Sequence, residues 1–347
     1  MTKSAPKLSI CIATFKRGKF IGRTLDSILK QMQPNVEIVI VDGASPDNTS
    51  EVMAKYTLNH PEISYFREEE NSGVDADFDK AVGYAKGDFC WLMTDDDLLK
   101  PDAIKTVLSS LNEEDDLVIV NSEVRNVDLS QVFESQRLKF QTDRVYNSPK
   151  NDELFADTAG YLSFIGCVVI RRSFWLSRER AAYYGTLFIH VGVIFQSPSI
   201  KNVRVLSEPQ IIIRYGNAMW SSRTFEVWMF LWPELVWSFP DFSNQAKRKV
   251  CRKEPWRNHK ALFHNRALGS YSFSVFKKIS EKYISKSEKT VAFFLSIFPA
   301  SLANMIMVLY FSKQVPSAGM ALHDLLYSSN AGLLSRFVSR LFIKRRP

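Results

Sequence analysis

The chain has 347 residues, of which 46% are hydrophobic and 24% are charged, which is typical of a globular protein with a full core and excludes a disordered chain. The four cysteines are far apart and form no CxxC pair, which argues against a zinc site or a disulfide framework and favours a reducing compartment. The net charge of +8 is uneven: from residue 240 onward nineteen Lys or Arg stand against five Asp or Glu.

The first third of the chain alternates strand and helix patterns. Continuous apolar runs predict buried strands, and apolar residues that recur every three or four positions predict helices. Strands are predicted at residues 8–14, 36–41, 63–66, 89–93 and 117–121, and helices begin near residues 19, 49, 76 and 101. This order predicts an α/β fold with a mostly parallel sheet, whose ligands bind beyond the carboxyl ends of the strands.

The pattern loosens after residue 122 and then recovers. Strands are predicted at residues 164–170, 203–206 and 210–215, and helices at 173–180 and 187–195. From residue 224 the chain becomes helical and aromatic, then basic, then apolar. We therefore divide it into three regions, 1–122, 123–222 and 223–347. The short apolar run at the N-terminus is followed by charge and predicts a strand, not a secretion signal.

Polar residues follow three neighbouring strands of the predicted sheet. Asp42 follows the second strand, Asn71 comes soon after the third, and an acidic triplet of Asp95, Asp96 and Asp97 follows the fourth. Because the carboxyl ends of parallel strands meet at one edge of a sheet, these side chains are expected to lie close together. They locate a candidate ligand site.

The triplet requires something to offset its negative charge. One such Asp could simply cap the following helix, but three adjacent carboxylates repel one another by about 1 kcal/mol or more per close pair. A hard divalent cation, Mg²⁺ or Mn²⁺, is the simplest candidate, since it takes one or two carboxylates together with phosphate oxygens. Such an ion would also stabilise a nucleoside diphosphate as it leaves.

Four segments occur together in a recognisable order and spacing: LSICIATFKR, VDGAS with its following D and T, NSG, and GDFCWLMTDDDLLKP. As a set they resemble family 2 glycosyltransferases of the GT-A fold, over about the first 105 residues. The looser match up to about residue 220 resembles bacterial O-antigen sugar transferases, such as abequosyltransferases. The resemblance implies a Rossmann-like GT-A sheet with helices on both faces, with a donor-binding half at 1–122 and an acceptor-binding half at 123–222.

The resemblance also implies roles for residues. Asp96 would be the main metal ligand, Asp95 would lie nearer the ribose or sugar, and Asp97 would support the reaction. The loop after the first strand would enclose the nucleotide base and phosphates, and the turn after the third strand would lie near the base; these contacts would involve Thr14, Lys16, Arg17, Asp42, Asn71 and Gly73. Alternatively, Lys16 and Arg17 could form an exposed turn, and Asp42 could cap a helix.

The sequence departs from many relatives just after this turn. They carry an Ala-Arg-Asn run, whereas this chain has Asp75, Asp77 and Asp79, so an Arg that could meet sugar or phosphate is missing. Asp75 and Asp77 either bind hydroxyls of the donor sugar or occupy a first helical turn, where the helix dipole favours acids.

Inverting transfer needs a base that takes a proton from the acceptor hydroxyl. In the family this is usually an Asp at the start of a helix in the acceptor half, but no acid occurs here between Glu179 and Glu208. His190 stands about where that Asp would be and is the candidate base, although a His on an apolar helix is often a core residue. Glu179 is a weaker substitute.

Arg214 follows the last predicted strand, where relatives place a mobile loop that closes on the diphosphate and the metal. It could supply positive charge to the leaving group, or belong to a surface hairpin.

Residues 290–311 form an uncharged apolar segment, and this segment is long enough to span a bilayer. Pro299 divides the run, and its basic flanks and the basic closing residues 340–347 favour helices that lie in the membrane interface. We expect monotopic attachment to the cytoplasmic face of the membrane, no nucleic-acid partner, and a lipid-linked or polysaccharide acceptor. A true span and a wholly soluble helical subdomain are the alternatives.

The expected function is therefore transfer of a sugar from a metal-bound nucleotide-sugar in bacterial surface-polysaccharide synthesis. A catalytically inactive scaffold of the same fold is the main alternative, because the acidic base is absent. A sugar-nucleotide nucleotidyltransferase would need a glycine-rich loop near the N-terminus, and that region contains only Gly18.

Overall fold

A computed structural model describes residues 6–147, 151–217, 223–281, 283–314 and 319–337. Contacts divide the chain into two compact units. The first comprises Met1–Tyr215 with Ser238–Val250, and the second comprises Gly216–Trp237 with Cys251–Pro347. The basic closing residues 340–347 lie outside the described residues.

In the described residues ten strands of the first unit form one sheet. In chain order they are β1 Leu8–Thr14, β2 Val36–Asp42, β3 Ile63–Arg67, β4 Phe89–Met93, β5 Leu98–Leu99, β6 Leu117–Arg125, β7 Val132–Glu134, β8 Arg144–Asn147, β9 Val168–Arg171 and β10 Asn202–Arg214. Their order across the sheet is β3-β2-β1-β4-β9-β6-β10-β5, with β7 beside β6 and β8 beside β10.

Fifteen α-helical segments are described along the chain. They are α1 Ile21–Leu29, α2 Thr49–Asn59, α3 Val74–Tyr84, α4 Ala103–Ser110, α5 Asn151–Thr158, α6 Arg172–Leu176, α7 Ile189–Phe195, α8 Thr224–Glu226, α9 Trp232–Ser238, α10 Asn244–Val250, α11 His259–Leu268, α12 Phe273–Ser280, α13 Lys286–Ile297, α14 Ala300–Ser312 and α15 Gly319–Tyr327. A π-helical turn, Val227–Leu231, joins α8 to α9.

The first four parallel strands are formed as the sequence predicts. The chain passes from β1 to β2 to β3 in one direction and returns to β4 on the other side of β1, and all these pairs are parallel. Because such crossovers are right-handed, α1 and α2 lie on one face of the sheet and α3 on the other. In agreement, α1 contacts α2. The α/β fold class is therefore confirmed.

The sheet is mixed, not mostly parallel, beyond β4. Strand β9 lies between β4 and β6 and is antiparallel to both. It follows β8 through α5 and keeps the direction of β8, which is itself antiparallel to β10, the parallel neighbour of β6. It also begins later than predicted, since two 3₁₀ turns occupy residues 161–163 and 165–167. The two strands predicted at residues 203–215 are one strand, β10, whose pairing with β6 shifts register on either side of Pro209. Proline has no N–H to donate at that point.

The core of the first unit lies along the inner strands. Every residue of β1 and β4 is buried, which explains why their sequences are continuous apolar runs and do not alternate. Trp91 on β4 is fully buried, and its indole Nε1–H donates to the Gly166 carbonyl oxygen at 2.8 Å. The four cysteines are free thiols, and Cys11, Cys90 and Cys167 are buried.

The second unit is helical and has two apolar clusters of its own. One is centred on Phe225, Leu262 and Tyr271, and the other joins Ala267 of α11 to Ala303 and Met307 of α14. Among the described residues no single helix is long and apolar enough to cross a membrane. The segments Ser287–Ile297 and Ala300–Ser312 meet the requirements of length and composition only as a pair, and they are bent by 96°.

Candidate active site

The loop after β1 is tied to the loop after β2 by its backbone. Lys16 adopts a left-handed conformation with φ 58°, and its N–H donates to the Ser45 hydroxyl at 2.9 Å. The N–H of Arg17 donates to the Thr49 hydroxyl at 3.1 Å, and the N–H of Gly18 donates to an Asp47 carboxylate oxygen at 3.2 Å. These bonds hold the Arg17 backbone at the carboxyl edge of the sheet.

The Arg17 side chain lies against the acidic triplet. Its Nε is 3.4 Å from Asp95 Oδ1, and its Nη2 is 3.4 Å from Asp96 Oδ2. Its side chain is 12% exposed and each carboxylate 11%, so these charges are largely removed from water. One guanidinium therefore bridges two adjacent carboxylates.

Asp97 has a different environment from its two neighbours. One carboxylate oxygen accepts a hydrogen bond from the Thr94 hydroxyl, and the other accepts the backbone N–H of Arg214 at 2.6 Å. The Asp97 carbonyl oxygen accepts the Thr24 hydroxyl at 2.8 Å. Asp97 thus links the end of β4 to α1 and to the end of β10, and both of its oxygens are occupied by the protein.

The Arg214 side chain reaches the same region from β10. Its Nε donates to the Asp96 carbonyl oxygen at 2.8 Å, and its Nη1 donates to the Val127 carbonyl oxygen at 2.7 Å. Both guanidiniums lie over the Phe20 ring, whose centroid is 5.5 Å from Arg17 Cζ and 5.4 Å from Arg214 Cζ. Two cations are thus positioned beside the triplet on an aromatic support.

Burial shifts the pKa values of the side chains at this site. Desolvation, followed by the neighbouring Asp96 charge, raises the pKa of Asp95 to about 7, although Arg17 and the Thr14 hydroxyl oppose the rise. The same two causes, burial first, raise the pKa of Asp97 well above its ordinary value. Burial lowers the pKa of Arg214. An additional positive charge at the carboxylates would lower their pKa and favour their ionised forms.

Asp42 lies at the end of β2, opposite Thr14 in the register of the two strands. It is fully buried; one carboxylate oxygen accepts the Ser45 N–H at 2.8 Å and the other accepts the Tyr65 hydroxyl at 2.6 Å. Burial and the Asp42 carboxylate raise the pKa of Tyr65. Asp42 does not cap α2, which begins at Thr49. The Ser45 N–H, the Tyr65 hydroxyl and the predicted contact to the base therefore compete for the same carboxylate oxygens.

A small cradle surrounds Gly43 next to Asp42. A Cβ atom at Gly43 would lie 2.6 Å from Asp77 Oδ2 and 3.5 Å from Asn71 Oδ1, so only glycine leaves this space open. Asn71 Oδ1 accepts the N–H of Gly73, which adopts φ 89° at the start of α3. The Ser72 hydroxyl donates to Asp77. The structure thus brings Asn71 and Gly73 to the Asp42 turn.

Asp75 and Asp79 connect α3 to the acceptor half. The Asp75 carboxylate accepts the N–H groups of Leu187 at 2.9 Å and Ile189 at 3.1 Å, at the start of α7. Burial raises the pKa of Asp75. Asp79 accepts the Trp175 indole N–H and the Tyr184 hydroxyl. In this conformation Asp75 is thus engaged by backbone donors, and a contact with a sugar hydroxyl would compete with them.

His190 is the second residue of α7 and is 1% exposed. Its Nε2 lies 2.6 Å from the Leu162 carbonyl oxygen, which can only accept, so Nε2 carries the proton and Nδ1 the lone pair. Nδ1 has no hydrogen-bond partner among the described residues. Burial lowers the pKa of His190 to about 4. Glu179, the weaker candidate, is exposed and accepts the N–H of Arg180.

The geometry gathers most of the predicted donor residues at one sheet edge. The β1 and β2 loops and the triplet meet there, together with Arg214, whereas His190 is buried against Leu162. Sequence reasoning assigned Arg17 to the nucleotide base and phosphate and missed that it bridges Asp95 and Asp96. It also missed the bond from Thr94 to Asp97. The local sequence TDDD held no signal for either contact.

The residues fit a divalent ion only if the donor completes its coordination. Among the described residues no group of three or more His, Cys, Asp and Glu is arranged to hold a metal. Asp97 uses both oxygens elsewhere, which leaves the pair Asp95 and Asp96. Mg²⁺ and Mn²⁺ commonly bind with one or two carboxylates, water and substrate phosphates, so this pair is a suitable protein contribution.

Residues 9–176 match the family model described as Glycosyl transferase family 2. Abequosyltransferase RfbV of Salmonella typhimurium is 28% identical, over 60% of this chain and 67% of that protein. Chondroitin synthase of Escherichia coli is 29% identical over 36% of this chain, but the match spans only 18% of that protein. The inferred resemblance to family 2 glycosyltransferases is thereby confirmed.

Solved structures support the fold. The crystal structure of S. aureus TarS 1-349 has a TM-score of 0.51 and 17% identity, and the match covers 98% of this chain and 92% of that one. The same protein in complex with UDP-GlcNAc has a TM-score of 0.52 and 18% identity, with 92% of this chain and 90% of that one covered. At these identities the likeness concerns the fold alone.

Proposed function

We propose that this protein, whose residues 9–176 match the family 2 glycosyltransferase model, transfers a sugar from a nucleoside diphosphate sugar to a hydroxyl group of a glycan, with inversion at the sugar C1. The observation that carries the proposal is the arrangement at one sheet edge: Arg17 and Arg214 beside Asp95 and Asp96. Cations and carboxylates side by side suit a diphosphate together with its counter-ion.

In the proposed reaction the acceptor oxygen attacks C1 from the face opposite the diphosphate. The C1–O bond to the diphosphate breaks, the electron pair leaves with the nucleoside diphosphate, and the acceptor proton passes to a base. Arg17 and Arg214 would stabilise the charge that develops on the leaving group. A divalent ion held by Asp96 and Asp95 would add Lewis-acid stabilisation of the same charge when bound.

His190 is the proposed base, and Nδ1 is its proton acceptor because Nε2 donates to Leu162. A pKa of about 4 makes the imidazole a weak base in this conformation, and the burial that causes it also separates Nδ1 from solvent. Proton transfer therefore requires acceptor binding to open a path to Nδ1. If His190 is the base, His190→Gln should lower kcat at least 100-fold with little change in donor affinity. A kcat within threefold of wild type would assign His190 to the core.

The donor half is tested by a panel of nucleotide-sugars. Hydrolysis of each donor with Mn²⁺ or Mg²⁺ should identify one that is turned over, and Asp96→Asn should abolish both turnover and metal-dependent donor binding. Asp115→Asn is a control: Asp115 is also a buried carboxylate, but it lies in the loop before β6 and pairs with Arg204. If both variants lose turnover and donor binding to the same extent, or neither does, the assignment of the triplet to the donor site is wrong.

The burial of His190 favours one alternative, an inactive protein that binds nucleotide-sugar without transferring it. Such a protein would bind a donor and release no nucleoside diphosphate with any acceptor. The donor panel separates the two functions, because binding and turnover are measured on the same protein.

We also propose that the second unit attaches to the cytoplasmic face of the membrane, where a lipid-linked acceptor would reside. Apolar side chains are exposed on both apolar helices: Val291, Phe294 and Ile297 on α13, and Leu302, Ile306 and Tyr310 on α14. Tyr310 also contacts α11, where its hydroxyl accepts a hydrogen bond from the Lys260 ammonium at 2.5 Å, so the other five side chains form the apolar surface available to lipid. The basic charge of this part of the chain complements anionic lipid headgroups.

Vesicle flotation tests the attachment. The protein should float with phosphatidylglycerol-containing vesicles more than with pure phosphatidylcholine, and the double variant Phe294→Ser, Ile306→Ser should lose at least tenfold in binding. Leu58→Ser is the control, because Leu58 is 84% exposed on α2 of the first unit, and Phe294 is 60% exposed. Equal loss in both variants, or self-association in place of flotation, would refute the proposal.

A further inference from the structure

We infer that Arg17 is a built-in counter-cation of Asp95 and Asp96, so that a divalent ion gains this carboxylate pair only when the diphosphate of the donor draws Arg17 away. Donor and metal would then bind cooperatively, and the metal alone would bind poorly. The inference rests on the proposed function, because it assumes that the pair serves a metal in the donor complex.

The contacts of Arg17 carry the inference. Its Nε and Nη2 each lie 3.4 Å from a carboxylate oxygen, one on Asp95 and one on Asp96, so the guanidinium occupies the space shared by the two candidate ligands. All three side chains are largely buried. Two carboxylates removed from water need a positive charge nearby, and Arg17 supplies one when no metal is present.

Arg214 does not perform the same task. Its Nε and Nη1 donate to the carbonyl oxygens of Asp96 and Val127, and not to the carboxylates of Asp95 and Asp96. Arg214 can therefore stay in place when the metal binds. Arg17 differs because its guanidinium lies at the carboxylate oxygens that the metal would use.

The displacement of Arg17 can be local. The N–H groups of Arg17 and its neighbours Lys16 and Gly18 are bonded to the loop after β2, so the backbone is held while the side chain rotates about its own bonds. A diphosphate is a suitable destination, because a guanidinium binds phosphate oxygens through two parallel hydrogen bonds.

Electrostatics makes the two binding events interdependent. A divalent cation on the carboxylate pair would stand within a few ångströms of the guanidinium, and the two positive charges would repel each other. Without a diphosphate, the metal must therefore compete with Arg17. With one, Arg17 gains a new anionic partner and the carboxylates gain the metal, which is positive coupling between two ligands.

The coupling can be measured without activity. Binding of Mn²⁺ alone is followed by electron paramagnetic resonance in wild type, Arg17→Gln, Lys16→Gln and Asp96→Asn. Lys16→Gln is the matched control: it removes the same charge one residue away, where the ammonium lies 5.0 Å from the Phe15 ring centroid. We expect Arg17→Gln to bind Mn²⁺ at least tenfold more tightly than wild type, and Lys16→Gln to change the affinity by less than threefold.

A second arm adds the diphosphate. An equimolar mixture of UDP, GDP, CDP and dTDP should increase Mn²⁺ affinity in wild type, after correction for Mn²⁺ bound by free nucleotide, and should do so much less in Arg17→Gln. Thermal unfolding followed by circular dichroism checks that each variant is folded.

The outcomes separate the inference from the proposed function. If wild type binds Mn²⁺ alone as tightly as Arg17→Gln does, and Asp96→Asn abolishes that binding, the metal site stands and the role of Arg17 is refuted. If no variant binds Mn²⁺ with or without nucleotide, both the inference and the metal part of the proposed function are refuted. If Lys16→Gln tightens Mn²⁺ binding as much as Arg17→Gln does, the effect comes from net charge and not from the position of Arg17, and the inference is wrong.

Discussion

Replacing His190 with Gln should flatten the dependence of stability on pH below about 6.5. The folded protein holds His190 neutral, because burial lowers its pKa to about 4, whereas an unfolded chain titrates near the ordinary value of 6.5. As the pH falls between these values, the unfolded state binds a proton that the folded state does not. The contribution of His190 to stability is therefore complete above pH 6.5 and is lost progressively down to about pH 4.

The two pKa values determine the size of the effect. One pKa unit corresponds to about 1.4 kcal/mol, so the free energy of unfolding should fall by about 3 kcal/mol over the whole interval, and by about 2 kcal/mol at pH 5. Gln is a suitable replacement because its amide can still donate to the Leu162 carbonyl oxygen but does not titrate.

Urea-induced unfolding measures the effect in both proteins at about pH 7.5 and about pH 5. Other titrating groups are common to wild type and variant, so they cancel in the difference between the two pH dependences. Wild type should lose about 2 kcal/mol more than His190→Gln on acidification. If that difference is below about 0.5 kcal/mol, His190 is not held neutral by burial, and the argument from its environment is wrong.

Three further substitutions test other parts of the structure. Asp75→Ala leaves two N–H groups at the start of α7 without their acceptor and should lower the free energy of unfolding by about 2 kcal/mol in urea denaturation. Gly18→Ala places a Cβ 2.1 Å from Asn48 Oδ1 and 3.0 Å from the Thr49 backbone nitrogen, so the Asn48 side chain and the β1 loop must give way, and donor affinity should fall about tenfold by calorimetry. Trp91→Phe removes the buried bond to the Gly166 carbonyl and leaves a cavity, and thermal unfolding should show a loss of about 2–4 kcal/mol.

The early strands and the candidate site edge were predictable because their signals are local. Strand β1 was predicted with the bounds that it has in the structure, since a run of seven buried residues reads directly as an apolar segment. Asp42 and the triplet were placed at neighbouring strand ends by counting elements, and the register of β1 with β2 and β4 puts them there. Parallel βα repetition leaves few other arrangements.

The middle of the chain was predicted less well. Strand β9 pairs antiparallel with β4 and β6, and this choice depends on contacts between segments that are about 50–80 residues apart. Nothing in the apolar run that contains β9 encodes its direction, because a strand buried on both faces has the same pattern either way. The apolar run at residues 290–311 was correctly divided at Pro299, which cannot continue the helix before it.

The sequence by itself determined the α/β order, the resemblance to family 2 glycosyltransferases, and most of the charged residues that lie at the carboxyl edge of the sheet. The tertiary structure alone decided how those charges pair: Arg17 with Asp95 and Asp96, Asp97 with the Arg214 backbone, and His190 with Leu162. The physical reason is one of range. Periodicity and turn residues report the hydrogen bonding and burial of a few neighbouring positions, whereas a salt bridge between residues 17 and 95 depends on two loops that only the folded sheet brings together.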